Sequence, residues 1–368
     1  MRKKKVGHIL GSAARTLLAA VFIFSGFVKA VDPLGTTYKI EDYLTAFGSF
    51  FAVFVPAAEP LAWVLIVFEF LLGISLLFNI KTQATSWLAL LLMCFMTPLT
   101  LYIAIKNPVS DCGCFGDALV LSNWATFAKN VVLLALVVLL LLTKKYIPQT
   151  FTGGAEAGIF TVFAALLIAM MLYCRLRLPL IDFRPYKVGN NIIELMEIPD
   201  GAAPDVYETT FVYEKDGVEQ EFTLQNYPKN DSSWVFVRQN TKLLQKGYEP
   251  PVHDFAISNE DFEDITDDLL YSEDTVTMVV MYDLKKTSRK QAAKLNRLCE
   301  ESQAAGHVFV AVTGSGTDEI ETFAEETQAH YPFCTADGTM LKTIVRANPG
   351  VVVLSGGTVV KKYNLRGK

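Results

Sequence analysis

The sequence is poor in residues that bind metal ions or react as nucleophiles. It contains only four histidines and six cysteines in 368 residues. His253, His307 and His330 have no ligand spacing, and His8 is the only histidine in the first half of the chain. A structural zinc site needs four ligands. The histidines therefore do not predict a zinc site in either half.

Charged residues are also scarce, and they are unevenly distributed. They make up 19% of the chain, whereas 51% is hydrophobic, which is too apolar for a wholly soluble protein. Residues 1–175 contain 13 Lys/Arg and 8 Asp/Glu, net +5, and residues 176–368 contain 20 and 30, net −10. We expect a membrane-embedded first half and an acidic, water-soluble tail. A negative tail argues against a nucleic-acid partner.

Five apolar stretches are long enough, at about 20 residues each, to cross a bilayer. They are residues 13–31, 60–78, 86–105, 127–142 with the preceding turn, and 155–174. The first has no convincing small-x-small cleavage site, so we interpret it as a retained anchor. Residues 36–56 are apolar but too short to cross, and we expect an interfacial helix that roofs a cavity.

Basic residues in the short loops predict the orientation of the spans. They concentrate at residues 2–5 and in the loops after the second and fourth spans. The N-terminus is therefore expected on the cytoplasmic side of an inner membrane. Five crossings place both the tail and the loop with Cys112 and Cys114 on the periplasmic side, where disulfides persist.

The loop between the third and fourth spans reads NPVSDCGCFGDAL, with Cys112 and Cys114 one residue apart. Two extended residues span about 6.5–7 Å, so a disulfide here is strained or needs a bend at Gly113. Strained disulfides are easily reduced, which favours electron transfer over a static staple. Two alternatives remain: an unusual metal site that includes Asp111 and Asp117, or a turn whose cysteines are merely small or are paired for stability.

Glu69 has the highest expected cost of burial, because it lies near the middle of the second span. Carboxylates at this depth usually face the interior of a bundle, which favours a proton-carrying or ligand-binding role. A protonated, hydrogen-bonded carboxyl that fixes helix packing is the alternative. Lys29 and Glu59 are expected at the outer rim as an interfacial ion pair.

The string DCGCFGD, with FIFSGFVKAVDP in the first span and FEFLLGISLL in the second, resembles the DoxX/MauE group of small membrane proteins over about residues 10–145. MauE-type members are linked to maturation of disulfide-rich periplasmic enzymes, and the wider group to membrane-bound thiol or quinone redox chemistry. The resemblance implies that Cys112 and Cys114 are a redox pair, with a quinone as a candidate cofactor. The chain departs from the group by adding a fifth span and a large tail.

The tail has two predicted parts. Residues 178–250 are β-rich, with a hairpin around Asp216-Gly217 and a short strand at Trp234–Arg238. From about residue 251, two strand–helix repeats, a short strand and helix, and a final hairpin resemble the thioredoxin-like fold. Pro349 matches the position of the cis proline in that fold.

Where thioredoxins carry Cys-x-x-Cys, the tail has DLKKTSRK, and it therefore has no thiol there for exchange. Ser288 in this stretch is interpreted as a helix N-cap. Cys299 is expected in the core beside Leu295. Cys334 is expected to pair with Cys299, to act as a lone thiol, or to fill space.

Four parts are thus predicted. They are a DoxX/MauE-like four-helix membrane domain (1–148), a fifth transmembrane helix (149–177), a β-rich linker domain (178–250), and an α/β thioredoxin-like domain without active-site cysteines (251–368).

The expected function is thiol/disulfide redox at Cys112 and Cys114, with Glu69 as proton carrier and with electrons exchanged with a quinone or periplasmic thiols. The tail would bind a periplasmic protein client or redox partner. A non-enzymatic membrane-anchored scaffold is the alternative, and a transporter ranks last because no inverted repeat is visible.

Overall fold

A computed structural model describes residues 2–109, 111–147, 150–151, 153–229, 231–245 and 247–367. The membrane half contains α1 (Arg2–Val31), α2 (Pro33–Ala46), α3 (Ser49–Ala52), α4 (Ala58–Phe78), α5 (Thr82–Lys106), α6 (Asn123–Thr143) and α7 (Gly154–Leu176). Within the described residues, five helices are long and apolar enough to cross a membrane: α1, α4, α5, α6 and α7. The domain boundary predicted between residues 148 and 149 lies outside the described residues.

Helices α1 and α4 cross in close contact because small residues lie where they meet. A Cβ added at Gly26 would lie 2.8 Å from the backbone nitrogen of Phe70, and one at Gly73 would lie 2.7 Å from the backbone nitrogen of Ile23. Small residues at such crossings allow helix backbones to approach in membranes. These contacts fix which residues of the two helices lie level with each other.

Helix α2 begins with a well-formed N-terminus. The Asp32 side chain accepts a hydrogen bond from the Gly35 N–H at 2.9 Å, and Pro33 occupies the first helical position. Helices α2 and α3 then lie across the end of the bundle from which α1 emerges. They correspond to the interfacial segment predicted at 36–56.

The tail begins with α8 (Ile192–Met196), followed by β1 (Val206–Lys215), β2 (Val218–Thr223) and β3 (Val235–Gln245). These strands form an antiparallel sheet in the order β2-β1-β3. Asp216 and Gly217 have φ angles of 51° and 77°, so the predicted hairpin is confirmed. Strand β3 extends beyond the predicted strand at Trp234–Arg238, because it pairs with β1 as far as the pair of Gln245 and Val206.

The rest of the tail consists of a second sheet and the helices that connect its strands. In chain order the elements are β4 (Ile257–Ser258), α9 (Thr266–Leu270), β5 (Val276–Met281), α10 (Ala292–Ala304), β6 (Val308–Thr313), α11 (Thr317–Thr327), β7 (Phe333–Ala336), α12 (Gly338–Ile344), β8 (Gly350–Ser355) and β9 (Thr358–Asn364). The strand order is β4-β7-β6-β5-β8-β9, with β5, β6 and β7 parallel and β8 antiparallel to β5. The order of elements is as predicted from Val276 onward, and the Asn348–Pro349 bond is cis.

Apolar side chains cover both faces of this second sheet. Cys299 packs with Leu295 in the core on one face, as predicted. Cys334 is 2% exposed in the core on the other face and is a free cysteine, so it fills space rather than pairing with Cys299. Ser288 lies at the predicted N-cap position, but it precedes a 3-10 turn at Arg289–Gln291 rather than α10 itself, and its side chain makes no capping hydrogen bond.

Candidate functional site

The two loop cysteines lie side by side at the end of the bundle. Their Sγ atoms are 2.9 Å apart, and both are free cysteines. Gly113 supplies the predicted bend, with a φ angle of +64° that favours glycine. A disulfide has an S–S distance of about 2.05 Å. The sulfurs therefore need to approach by only about 0.9 Å to form the bond.

Side chains of α1 and α2 fix the backbone of this loop. The Tyr43 hydroxyl donates to the Cys112 carbonyl at 2.7 Å, and the Ser25 hydroxyl donates to the Cys114 carbonyl at 2.7 Å. Lys39 forms an ion pair with Asp111 at 3.0 Å. Asp111 also accepts a hydrogen bond from the Gly113 N–H at 2.7 Å. Both α1 and α2 thus hold the cysteine loop in place.

The predicted alternative of a metal site receives no support from this arrangement. Asp111 and Asp117 are both engaged by cations, Lys39 and Arg346 respectively. Within the described residues there is no group of three or more His, Cys, Asp or Glu side chains that could hold a metal ion.

The surroundings of the two thiols push their pKa values apart. The hydrogen bond between them lowers the pKa of Cys114 to about 6, assisted by the nearby charges of Lys129 and Lys29 and opposed by burial. The same hydrogen bond, together with burial, raises the pKa of Cys112. A thiolate is the reactive form of cysteine. The lowered pKa of Cys114 therefore favours it as the nucleophilic member of the pair.

Glu69 lies beside this pair rather than alone in the bundle. Its Oε2 atom accepts a hydrogen bond from the Lys29 Nζ at 2.6 Å, and Lys29 also donates to the Ser25 hydroxyl at 3.0 Å. Both charged side chains are buried. Since Ser25 in turn holds the Cys114 carbonyl, a continuous polar chain links Glu69 to the cysteine loop.

The predicted ion pair between Lys29 and Glu59 is wrong. Glu59 pairs instead with Arg175 of α7 at 2.7 Å. The close contact of Gly26 with Phe70 sets the register of α1 against α4. It brings Lys29 level with Glu69, about three helical turns beyond Glu59.

A cavity of about 420 Å³ opens beside the thiols. Cys112 and Cys114 lie on its wall, and Tyr43 of α2, Phe47 of the following turn and Phe51 of α3 line it, so the predicted roofed cavity is confirmed. Much of the remaining lining is apolar and comes from α4, from α5 and from Pro179, Ile181 and Phe183 in the segment after α7. Its residues Phe51, Leu61 and Phe95 are exposed on the outer surface of the bundle. The cavity therefore reaches the surface that would face lipid.

A second, smaller cavity of about 40 Å³ lies on the other side of Cys114. Lys29, Glu69 and Lys129 line it together with Cys114. It is large enough for a water molecule, which needs about 10–15 Å³ and several polar partners. Lys129 also lies 4.3 Å from the ring centre of Phe115, which places its ammonium group near the thiols.

The tail contacts the same end of the bundle. Arg346 pairs with Asp32 at 2.8 Å and with Asp117 at 2.9 Å, and the Tyr38 and Tyr282 hydroxyls are 2.9 Å apart. The tail and the cysteine loop therefore lie at one end of the bundle.

Sequence reasoning missed several residues of this site. Lys29, Lys129, Ser25 and Tyr43 each lie on a different turn or helix from the cysteines, and Arg346 lies in another domain. One signal was present: Lys29 and Lys129 are cations within apolar spans, at positions that usually face a bundle interior.

Comparison with known proteins gives one match over most of the membrane half. Residues 7–143, from α1 to the end of α6, match the family described as methylamine utilisation protein MauE. With the five apolar helices, this match supports a multi-pass membrane protein. Residues 207–246 match a domain of unknown function, DUF8463. A search of curated proteins finds no match.

One solved structure is similar to part of the chain. It is the solution structure of a candidate protein disulfide isomerase from Bacteroides thetaiotaomicron, at 17% identity and a TM-score of 0.26. The similarity covers 31% of this chain and 77% of that chain. A likeness this low carries no argument about fold or activity.

Proposed function

We propose that the protein is a membrane-bound thiol/disulfide oxidoreductase whose redox pair is Cys112 and Cys114. The observation that carries this proposal is the pair itself. Two free thiols lie 2.9 Å apart, and the pKa of Cys114 is lowered to about 6. A low-pKa thiolate beside a second thiol, on the wall of a cavity, is the arrangement that disulfide exchange needs.

The cycle exchanges two electrons and two protons. In the oxidised state, a client thiolate attacks the Cys112–Cys114 disulfide and forms a mixed disulfide with one of the two cysteines. The second client thiol then displaces that cysteine, so the client becomes a disulfide and the pair a dithiol. The dithiol returns to the disulfide when it passes two electrons and two protons to an acceptor.

The position of the cavity supports a quinone as this acceptor. The cavity is largely apolar, borders both sulfurs and reaches the lipid-facing surface of the bundle at Phe95 and Leu61. A lipid-soluble quinone would become the quinol there. Glu69 remains our proposed proton carrier, since it lines the small cavity that also borders Cys114.

The orientation of the protein in the membrane is part of the same proposal. The basic residues 2–5 favour a cytoplasmic N-terminus, and an odd number of spans then places the cysteine loop and the tail in the periplasm. Disulfide chemistry persists in that compartment. The sheet order of the tail and its cis Asn348–Pro349 bond support a thioredoxin-like domain that binds a periplasmic protein client or redox partner.

A single-turnover experiment tests the proposal. The fully reduced protein in lipid nanodiscs is mixed with a short-chain quinone, and quinol formation is followed by absorbance. We expect one quinol per protein chain, with loss of both free thiols in the loop. Cys112→Ser and Cys114→Ser should each form no quinol above background, because neither can close the disulfide.

Cys94→Ser is the matched control, since it removes a thiol that lies exposed on a membrane helix. It should form quinol as the unaltered protein does. Equal quinol formation by all three variants would refute a redox role for the loop pair.

A further inference from the structure

One arginine of the tail reaches the thiol site of the membrane half. Arg346 lies between α12 and β8 and is only 6% exposed. Its Nε donates to Asp32 at 2.8 Å, and its Nη2 donates to Asp117 at 2.9 Å. Its Nη1 donates to the Lys342 carbonyl at 2.6 Å, which fixes the side chain to its own domain.

The two carboxylates that Arg346 joins belong to different parts of the site. Asp32 caps α2, the helix that roofs the large cavity. Asp117 follows Cys114 in the cysteine loop by three residues. A planar guanidinium can donate to two carboxylates at once, in directions that a lysine ammonium does not fix. One side chain of the tail therefore adds a further link between the loop and its roof, beside the contacts that Tyr43 and Lys39 of α2 make with the loop.

Electrostatic attraction strengthens the contact between Arg346 and Asp32. Burial opposes ionisation of Asp32, but the Arg346 charge and its hydrogen bond hold the pKa of Asp32 below its usual range. Without Arg346, the buried Asp32 carboxylate would lose the cation that contacts it directly and would keep only the charge of Arg184 nearby. Breaking one member of a buried ion pair leaves an uncompensated charge, which is strongly destabilising.

The rest of the junction aligns the tail with α2. The Tyr38 hydroxyl is 2.9 Å from the Tyr282 hydroxyl, and the ring of Tyr38 lies 5.4 Å from the Arg346 guanidinium and 4.9 Å from the Lys342 ammonium. The tail thus covers one face of α2. Among the described hydrogen bonds to Asp117 and to the cysteine backbone, only the one from Arg346 comes from the tail.

We propose that Arg346 is a positioning residue for the thiol pair, through which docking of the tail holds the cysteine loop with Cys112 covered and the two sulfurs adjacent. The tail then works as a built-in part of the membrane site. The inference rests on the proposed function for what the thiols do, but its test does not depend on turnover.

The test measures thiol protection in the reduced, full-length protein in nanodiscs. Cys112 and Cys114 are alkylated with iodoacetamide over a range of pH, and each is quantified by tandem mass spectrometry. In Arg346→Met we expect alkylation of Cys112 to rise at least about tenfold, because this side chain is 7% exposed in the intact site. The pH midpoint for Cys114 should move up from about 6, since the loosened loop separates the sulfurs.

Two further variants separate positioning from general loss of folding. Arg346→Lys should have an intermediate effect on both Cys112 alkylation and the Cys114 midpoint, because a single ammonium group replaces the forked guanidinium group. Asp117→Asn removes only the contact to the loop, at a carboxylate that is 43% exposed, and keeps the pair with Asp32. It should expose Cys112 without a fall in melting temperature.

Arg366→Met is the matched control, because it removes the same charge from an exposed position of the tail. It should behave as the unaltered protein. Unchanged Cys112 protection and an unchanged Cys114 midpoint in both Arg346→Met and Asp117→Asn would overturn the inference. A failure of quinone reduction would leave these alkylation rates as they are, so the two proposals fail separately.

Discussion

Replacement of Lys29 by methionine is expected to lower the melting temperature of the full-length protein by more than about 6 °C. The change leaves the Glu69 carboxylate without its partner at 2.6 Å, in a site where both side chains are buried. Removal of one member of a buried ion pair typically costs about 3–5 kcal/mol. One kcal/mol shifts the melting temperature of a large domain by roughly 2–4 °C. Thermal unfolding in detergent, followed by tryptophan fluorescence, measures the shift.

The double variant Lys29→Met/Glu69→Gln should recover most of this loss, because it removes the uncompensated charge. The pair of Arg175 and Glu59 provides the control: its side chains are 33% and 41% exposed. Such half-exposed pairs contribute about 0–1 kcal/mol, so Arg175→Met should shift the melting temperature by only a few degrees. Equal shifts in Lys29→Met and Arg175→Met would contradict the buried pair.

Alkylation of Cys114 in the reduced protein is expected to be half-maximal near pH 6. The lowered pKa means that the thiolate is present above this pH and is lost as pH falls below it. An ordinary cysteine, with a pKa of about 8.5, would react slowly at pH 7. The rate of iodoacetamide labelling, measured between pH 4 and pH 9 on the loop peptide, gives the midpoint directly.

Lys129→Met should move this midpoint upward, because it removes a cation that stabilises the Cys114 thiolate. A shift of about one unit would reduce the labelling rate at pH 6 by roughly fivefold. Lys106→Met is the control. Lys106 lies exposed at the end of α5, so this substitution removes the same charge from the same side of the protein. A midpoint near 8.5 in the unaltered protein would show that the thiol is not activated.

Local patterns predicted the elements of this fold well. The five spans were visible as long apolar runs, because a helix in lipid must satisfy its own backbone over about 20 residues. The hairpin at Asp216-Gly217 was visible because a two-residue turn needs residues that accept positive φ angles. The strands and helices after Val276 followed from alternation and helical periodicity.

The connections of the site could not be predicted in the same way. Glu69 was recognisable by its depth, but its partner depended on the register of α1 against α4, which the Gly26 contact sets. Arg346 meets Asp32 across 314 residues of sequence. Nothing near Cys114 in the sequence indicates that Lys129 and Lys29 lower its pKa. Tertiary packing supplies each of these contacts.

The redox state of the loop peptide is the most direct test of the central claim, that Cys112 and Cys114 form a working pair. Membranes that contain the full chain are treated with a short-chain quinone or with a dithiol, quenched with acid, and alkylated. We predict that the peptide loses two hydrogen atoms and becomes unlabelled after quinone, and that it carries two labels after dithiol. Two labels under both conditions would contradict the account.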